Sequence, residues 1–204
     1  MKLYFVPGTC ALAPHIFARQ ANIPLDVIKV DWTAEGMKVE GRDYLTINPK
    51  GKVPALETDG IILTETQVIL QYLAQSATPA DNSASGQLAH WRLLETLNFI
   101  ACEIHKAFSP LWVADLTPVV RANLVKGLYR NFTLFEQMLG AKPYLMGESF
   151  TIADAYAYTV LRWSEVHHID MADFQLITAY RNRISALPGV QQALREEGLL
   201  KAAN

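Results

Sequence analysis

An α/β module followed by an all-helical one is the architecture this sequence predicts, on three observations. Short apolar runs alternate with turn residues through the first 76 positions. A small, polar stretch interrupts the chain from Ala77 to Gly86, and beyond it only helical periodicity remains. The division is therefore 1–76 for the α/β module, 77–86 for a linker and 87–204 for the helical module.

The elements follow in order. Lys2-Leu3-Tyr4-Phe5-Val6 reads as a strand and Pro7-Gly8-Thr9 as a turn. Cys10 to Asn22 has helical spacing, with Leu12, Ile16 and Ala18 among its apolar positions. Leu25 to Asp31 is a second strand, after which the chain reads as an irregular arm. Val53 to Glu57 and Ile61 to Leu63 flank Thr58-Asp59-Gly60, a hairpin signal. Thr64 is placed to cap a helix carrying Val68, Ile69, Tyr72 and Leu73. The order is β-α-β, arm, β-β-α. In the second module, amphipathic helices run from Gln87 to Ser109, Pro118 to Leu139 and Ile152 to His167, with shorter ones to the end.

Composition narrows the function. Half of the 204 residues are apolar and 19% are charged, which is ordinary globular usage. The net charge is −2, with 7 basic and 8 acidic residues up to position 76 and 11 and 12 after it. Binding that depends on neutralising phosphates has little to work with, so no nucleic-acid partner is expected. No run approaches the length of a membrane span, and the apolar run at the N-terminus is too short for a signal sequence. Cys10 and Cys102 lie in no metal-ligand spacing, so no metal is expected, and two cysteines read as reduced thiols in a cytoplasm.

Three places in the first module invite chemistry. Cys10 follows the Pro-Gly turn at a helix start, where unpaired N–H groups and the helix dipole lower a thiol pKa; the alternative is an inert, buried small residue. Lys52-Val53-Pro54 puts a proline at a strand start. A cis bond there leaves the Val53 N–H and C=O free to pair with an extended peptide; a trans edge-strand proline is the plainer reading. Thr64-Glu65-Thr66 sits at a strand-to-helix junction. It serves either as a simple cap or as a site for a ligand with both an amine and a carboxylate, Glu65 taking the ammonium and Thr66 the carboxylate.

Taken together, strand, Pro7-Gly8-Thr9-Cys10, β-α-β, Asn48-Pro49-Lys50-Gly51-Lys52-Val53-Pro54-Ala55-Leu56, Leu63-Thr64-Glu65-Thr66 and a helical module closely resemble the cytosolic glutathione transferases. Met1-Lys2-Leu3-Tyr4 and the cysteine at 10 are most like the bacterial beta class. The resemblance covers essentially the whole chain. It implies a thioredoxin-like first domain, a cis Pro54, main-chain pairing of glutathione at Val53 next to Lys52, and Glu65-Thr66 on the γ-glutamyl end. Where it implies a basic residue near position 35 this chain has Glu35, with Lys38 and Lys52 as candidates to replace it.

At ~100° per residue, Asn98, Cys102, His105 and Ser109 fall within about 60° of one another, a polar stripe on an otherwise apolar helix. Glu103 points about 140° from Asn98. The resemblance implies that Asn98, Glu103 and His105 belong to the glutathione site. It also implies a homodimer, in which Glu103 is expected to cross to the partner's site. Phe150-Thr151-Ile152-Ala153-Asp154 is a capping box with a structural role. Trp91, Trp112 and Trp163 read as core or pocket wall, and Phe108, Trp112 and Trp163 as candidates to line the second substrate's pocket.

The expected activity is glutathione transfer to small hydrophobic electrophiles, with Cys10 and His105 in catalysis and with glutathione as co-substrate in place of any cofactor. Tyr4 and Thr9 are rival hydrogen-bond donors to the thiolate. Thiol-disulfide exchange through Cys10 is a second activity of the same site. The alternatives are a specialised glutathione-dependent reductase or dehalogenase, and a non-catalytic binding protein on this fold, as in stringent starvation protein.

Overall fold

A computed structural model describes residues 1–77 and 84–200. The chain divides into two compact units, Met1–Ala80 with Ala186–Asn204, and Asp81–Ser185. The last helix therefore belongs with the first module, where 87–204 had been expected to form one helical domain. Of the expected linker, residues 78–83 lie outside the described residues, and helix has resumed by Ala84.

In the first unit β1 (Lys2–Phe5) pairs in parallel with β2 (Asp26–Lys29). Its other edge pairs antiparallel with β6 (Ala55–Thr58), and β6 pairs with β7 (Ile61–Thr64), giving the order β2-β1-β6-β7. Alternation sorts the side chains by face. Leu3 and Leu56 pack with Ala18, Ile69 and Leu73 from α1 (Leu12–Gln20) and α2 (Thr66–Ala77). Tyr4 and Ala55 face the other way, onto Met37, Val39 and Tyr44.

Those last residues belong to the arm, which is not irregular. It holds β3 (Asp31–Thr33), β4 (Gly36–Val39) and β5 (Arg42–Asp43) in a small antiparallel sheet, then a 3-10 turn at Tyr44–Thr46. The strands are two to four residues long, and β3 is exposed throughout, so no burial alternation marked it. Glu35 sits in the β3–β4 turn, and its N–H donates to the Thr33 hydroxyl at 3.2 Å.

The unit is closed by α9 (Pro188–Glu196), which packs along α1. Contact is close because residue 189 is glycine: a Cβ there would lie 2.4 Å from the Gln20 main-chain nitrogen. The Gly189 N–H donates instead to Gln20 Oε1 at 3.0 Å.

The second unit has no named strand among its described residues. α3 (Ala84–Phe99) continues into a π-helical turn, Ile100–His105, then a single turn α4 (Lys106–Phe108) and a 3-10 turn, Ser109–Trp112. α5 (Pro118–Leu139), α6 (Ile152–Leu161), α7 (Trp163–Val166) and α8 (Gln175–Ser185) follow. α6 is buried along its whole length. Its capping box is present as expected: Asp154 Oδ2 accepts from the Thr151 N–H and hydroxyl at 2.8 and 2.9 Å. Asp154 Oδ1 also accepts from the Leu145 N–H and the Tyr180 hydroxyl, both at 2.8 Å. One carboxylate thus joins the α6 start, the loop before it and α8.

Candidate active site

Helix α1 begins two residues later than the spacing predicts, so Cys10 lies in the turn ahead of it and not on its first turn. The Cys10 thiol donates to the Val53 carbonyl at 3.4 Å. Val53–Pro54 is a cis bond, as the resemblance implied. The Val53 carbonyl, expected to be free, is thus already engaged.

The expected fall in the Cys10 pKa is also reversed. Burial pushes the thiol above its ordinary value, and Glu65 adds to the rise. A hydrogen bond from the Thr66 side chain, a main-chain hydrogen bond and Lys52 pull the other way without prevailing. A carbonyl partner favours S–H over S⁻, and desolvation penalises the charged form.

The two rival donors are committed elsewhere. Tyr4 is buried on the far face of the sheet, where its hydroxyl donates to Glu57 Oε2 at 2.6 Å. Burial and that carboxylate raise its pKa to about 12. The Thr9 hydroxyl donates to the Val6 carbonyl at 2.7 Å.

The loop before Val53 is shaped by Asn48, which is only 2% exposed. Its amide donates to the Lys52 carbonyl at 2.6 Å, and its Oδ1 accepts the Lys50 N–H at 3.1 Å. The Tyr44 hydroxyl donates to the same Lys52 carbonyl at 3.0 Å. Gly51 takes a φ of +59° inside this turn, a conformation that favours glycine. The Lys52 main chain is thereby fixed while its side chain stays exposed.

Thr64 is the last residue of β7 and not a helix cap. Glu65 makes the junction with a φ of +70°, uncommon for a residue with a side chain and concentrated at functional sites. Its carbonyl accepts from the Val68 and Ile69 N–H groups, both at 3.0 Å, so the strained residue starts α2. Its carboxylate is 2.7 Å from Lys50 Nζ, which also reaches the Thr64 hydroxyl at 2.9 Å. Lys50 was not singled out in the sequence; its signal lay inside the Asn48 to Leu56 run. Thr66 is buried beside this junction. Cys10, Val53, Pro54, Glu65 and Thr66 thus gather at one end of the sheet, with Lys50 and Lys52 at its rim.

In the second unit the π-helical turn changes the angular bookkeeping. It carries about 4.4 residues per turn against 3.6, so the faces drawn at ~100° per residue no longer hold past Phe99. Asn98 and Cys102 remain together: the Cys102 thiol donates to Asn98 Oδ1 at 3.7 Å. Glu103 is exposed, and its main-chain carbonyl accepts from the Asn131 amide of α5. His105 Nδ1 shares a 2.7 Å hydrogen bond with the Tyr156 hydroxyl, and the Trp163 ring stands edge-on at 5.0 Å. Tyr156 is 51 residues away in sequence, and no local signal marks it.

The three aromatic candidates do cluster, but in different roles. Phe108 is fully buried, so it is core and not pocket wall. Trp163 is buried against Phe108 and Trp112, at 5.7 and 5.9 Å between ring centres. Trp112 is 54% exposed and stands edge-on to His167 at 4.3 Å. Trp91, expected in the core or a pocket wall, is 64% exposed.

A sheet end with a cysteine-bearing turn, a cis proline and a strained acidic residue, followed by a helical unit, defines a thioredoxin-like fold with an appended helical module. The model of the glutathione S-transferase N-terminal domain matches residues 1–75, and that of the C-terminal domain matches residues 99–188. The chain belongs to the glutathione S-transferase family. It is 40% identical to glutathione S-transferase GstA of Escherichia coli O157:H7 over 98% of this chain and 100% of that one. A glutathione transferase from Methylococcus capsulatus superposes with a TM-score of 0.89 at 42% identity, covering 98% of this chain and 99% of that one. The sphingomonad glutathione S-transferase complexed with glutathione gives 0.88 at 36% identity, over 98% and 100%. A beta-class enzyme of Sphingomonas chungbukensis gives 0.88 at 35%, over the same shares. No helix among the described residues is long and apolar enough to cross a membrane.

Proposed function

We propose that the protein conjugates glutathione to small hydrophobic electrophiles, as a cytoplasmic homodimer. The observation that carries this reading is the junction at Glu65: a carboxylate presented from a φ of +70° at a helix start, next to buried Thr66 and on the same sheet end as Cys10. Glutathione lies extended along Val53 and Lys52, pairing with the Val53 N–H. Its γ-glutamyl ammonium meets Glu65, its carboxylate meets Thr66 and the first N–H groups of α2, and its sulfur lies at the Cys10 turn. Lys50 gives up part of its contact with Glu65 when the ammonium arrives. The roles of Asn98 and His105 follow the family resemblance, as does that of Glu103, which reaches the partner subunit's site.

The chemistry asks little of the protein beyond orientation and a lowered thiol pKa, because a thiolate is already a strong nucleophile. The glutathione thiol loses its proton to solvent. The sulfur lone pair forms a C–S bond to the electrophilic carbon, and the leaving group departs with the electron pair of the bond it breaks. No cofactor enters this scheme. With the Cys10 thiol protonated, the nucleophile is the glutathione sulfur and not Cys10.

Cys10 supports a second reaction at the same place. Its sulfur, once deprotonated, attacks oxidised glutathione; the S–S bond breaks, a mixed disulfide forms and one glutathione thiolate leaves. Initial rates with chlorodinitrobenzene and with hydroxyethyl disulfide, for wild type and Cys10→Ala, test both readings. Conjugation is expected to persist in the variant while the mixed-disulfide mass disappears. Failure of the wild type to conjugate, with no retention on a glutathione resin, returns the protein to the non-catalytic binding alternative.

A further inference from the structure

His15 on α1 is fully buried, and both its ring nitrogens meet carboxylates. Nδ1 is 3.0 Å from Glu197 Oε1, and Nε2 is 2.6 Å from Glu196 Oε2. Each ring nitrogen thus lies within hydrogen-bond reach of a carboxylate oxygen, so the ring ties both glutamates to α1. The second oxygen of Glu197 accepts the Gly8 N–H at 2.8 Å, across a separation of 189 residues. Glu197 is itself buried, and its carboxylate therefore has one oxygen on α1 and the other on the turn that leads to Cys10.

The rest of the arrangement holds Glu197 in place. Arg19 Nε donates to Glu196 Oε2 at 2.8 Å, and its Nη1 donates to the Leu25 carbonyl at 3.0 Å. The close approach at Gly189 seats α9 on α1. Within the turn, Thr9 is tied only locally, its N–H and hydroxyl both donating to the Val6 carbonyl. Long-range contacts of the turn include the Cys10 thiol on Val53, the Thr66 side chain on Cys10 and the Gly8 amide on Glu197.

We propose that Glu197 is a positioning residue for the reaction: held on α1 through the buried His15 ring, it holds the Gly8–Cys10 turn in the place where the glutathione sulfur docks. This rests on the reading that the turn receives the sulfur. Productive attack needs the reacting atoms held to a fraction of an ångström, and a hydrogen bond to a buried carboxylate supplies that restraint.

Two variants of the full chain separate positioning from folding. Glu197→Ala removes the acceptor. Glu197→Gln keeps it: the amide oxygen accepts the Gly8 N–H while the amide NH₂ donates to His15 Nδ1, the tautomer in which Nε2–H faces Glu196. The first readout needs no glutathione. Alkylation of Cys10 by iodoacetamide, resolved from Cys102 by peptide mass, is expected to run roughly tenfold faster in Glu197→Ala, the scale of losing one hydrogen bond to a charged group. The second is conjugation: kcat falls roughly tenfold in Glu197→Ala while KM for glutathione stays within about twofold, because the γ-glutamyl and main-chain contacts are untouched. Glu197→Gln is expected to restore both readouts, whatever its melting temperature. Wild-type alkylation and kcat in Glu197→Ala would overturn the proposal, as would Glu197→Gln failing to rescue either one. If the wild type itself does not conjugate, the functional reading falls, and the alkylation rates alone decide whether Glu197 holds the turn.

Discussion

The Cys10 thiol and the Val53 carbonyl are hydrogen-bond partners at 3.4 Å, so the cysteine is tied to the edge along which the tripeptide is proposed to lie. A thiol that donates to a carbonyl and is pushed up by burial is a poor nucleophile near neutral pH. In the proposed mechanism it neighbours the glutathione sulfur and exchanges with it.

Reactivity against pH tests that assignment. The folded-state pKa of Cys10 lies above the ordinary 9.0, so its alkylation rate is expected to keep climbing beyond pH 9.0. Exposed Cys102 is expected to react faster than Cys10 at neutral pH. Site-resolved labelling by mass spectrometry over a pH series checks both. A Cys10 rate that levels off below neutrality would mean a stabilised thiolate.

In the proposed binding mode Glu65 meets the γ-glutamyl end. Glu65→Ala is expected to raise KM for glutathione roughly tenfold to a hundredfold, the range for losing a charge-assisted contact. Because the carboxylate is exposed and its Lys50 partner is too, the melting temperature should hardly move. Steady-state kinetics with a thermal melt on the same sample separates the two effects.

Asp154 is the structural counterpart, with no reacting group near it. Asp154→Ala strands the Leu145 and Thr151 N–H groups and the Tyr180 hydroxyl in a buried place, at a cost of about 3 kcal/mol or more. Denaturant unfolding is expected to register the whole effect, with KM for glutathione unchanged in the fraction that folds.

Acid should weaken the α1–α9 seam. Burial opposes ionisation of Glu196, but hydrogen bonds from Gln192, His15 and Arg19 outweigh it and hold its pKa at about 2, against an ordinary 4.5. A depressed folded pKa gives stability that is present above the unfolded value and is lost as pH falls through the folded one. The gap in melting temperature between wild type and Glu196→Gln is therefore expected to stay constant above pH 4.5 and to close between 4.5 and 2. A gap that ignores pH would show that the carboxylate charge contributes nothing.

Much of this architecture was legible in residue patterns, and the failures have physical causes. The sheet strands, α2, the long α5 and the capping box at Thr151 announced themselves through periodicity and turn chemistry. The arm did not, because strands as short as Arg42–Asp43 carry no alternation. The seam between α1 and α9 was invisible, since His15, Gly8 and Glu197 meet across most of the chain's length. Cys10, Val53, Pro54, Glu65 and Thr66, which motif and spacing single out, gather at one end of the sheet. The thiol's state was misjudged because the position of Cys10 ahead of α1, and the carbonyl it faces, are properties of packing. The face of the helix carrying Asn98 to His105 was misdrawn for a similar reason: a π-helical turn breaks the rotation on which the projection depends.

Calorimetric titration of millimolar glutathione into the full chain tests the central claim most directly, run beside a Glu65→Ala/Thr66→Val variant. The account predicts one glutathione bound per chain with measurable heat, and binding at least roughly tenfold weaker in the variant. Absence of heat with the wild type, or equal binding by the variant, would contradict it.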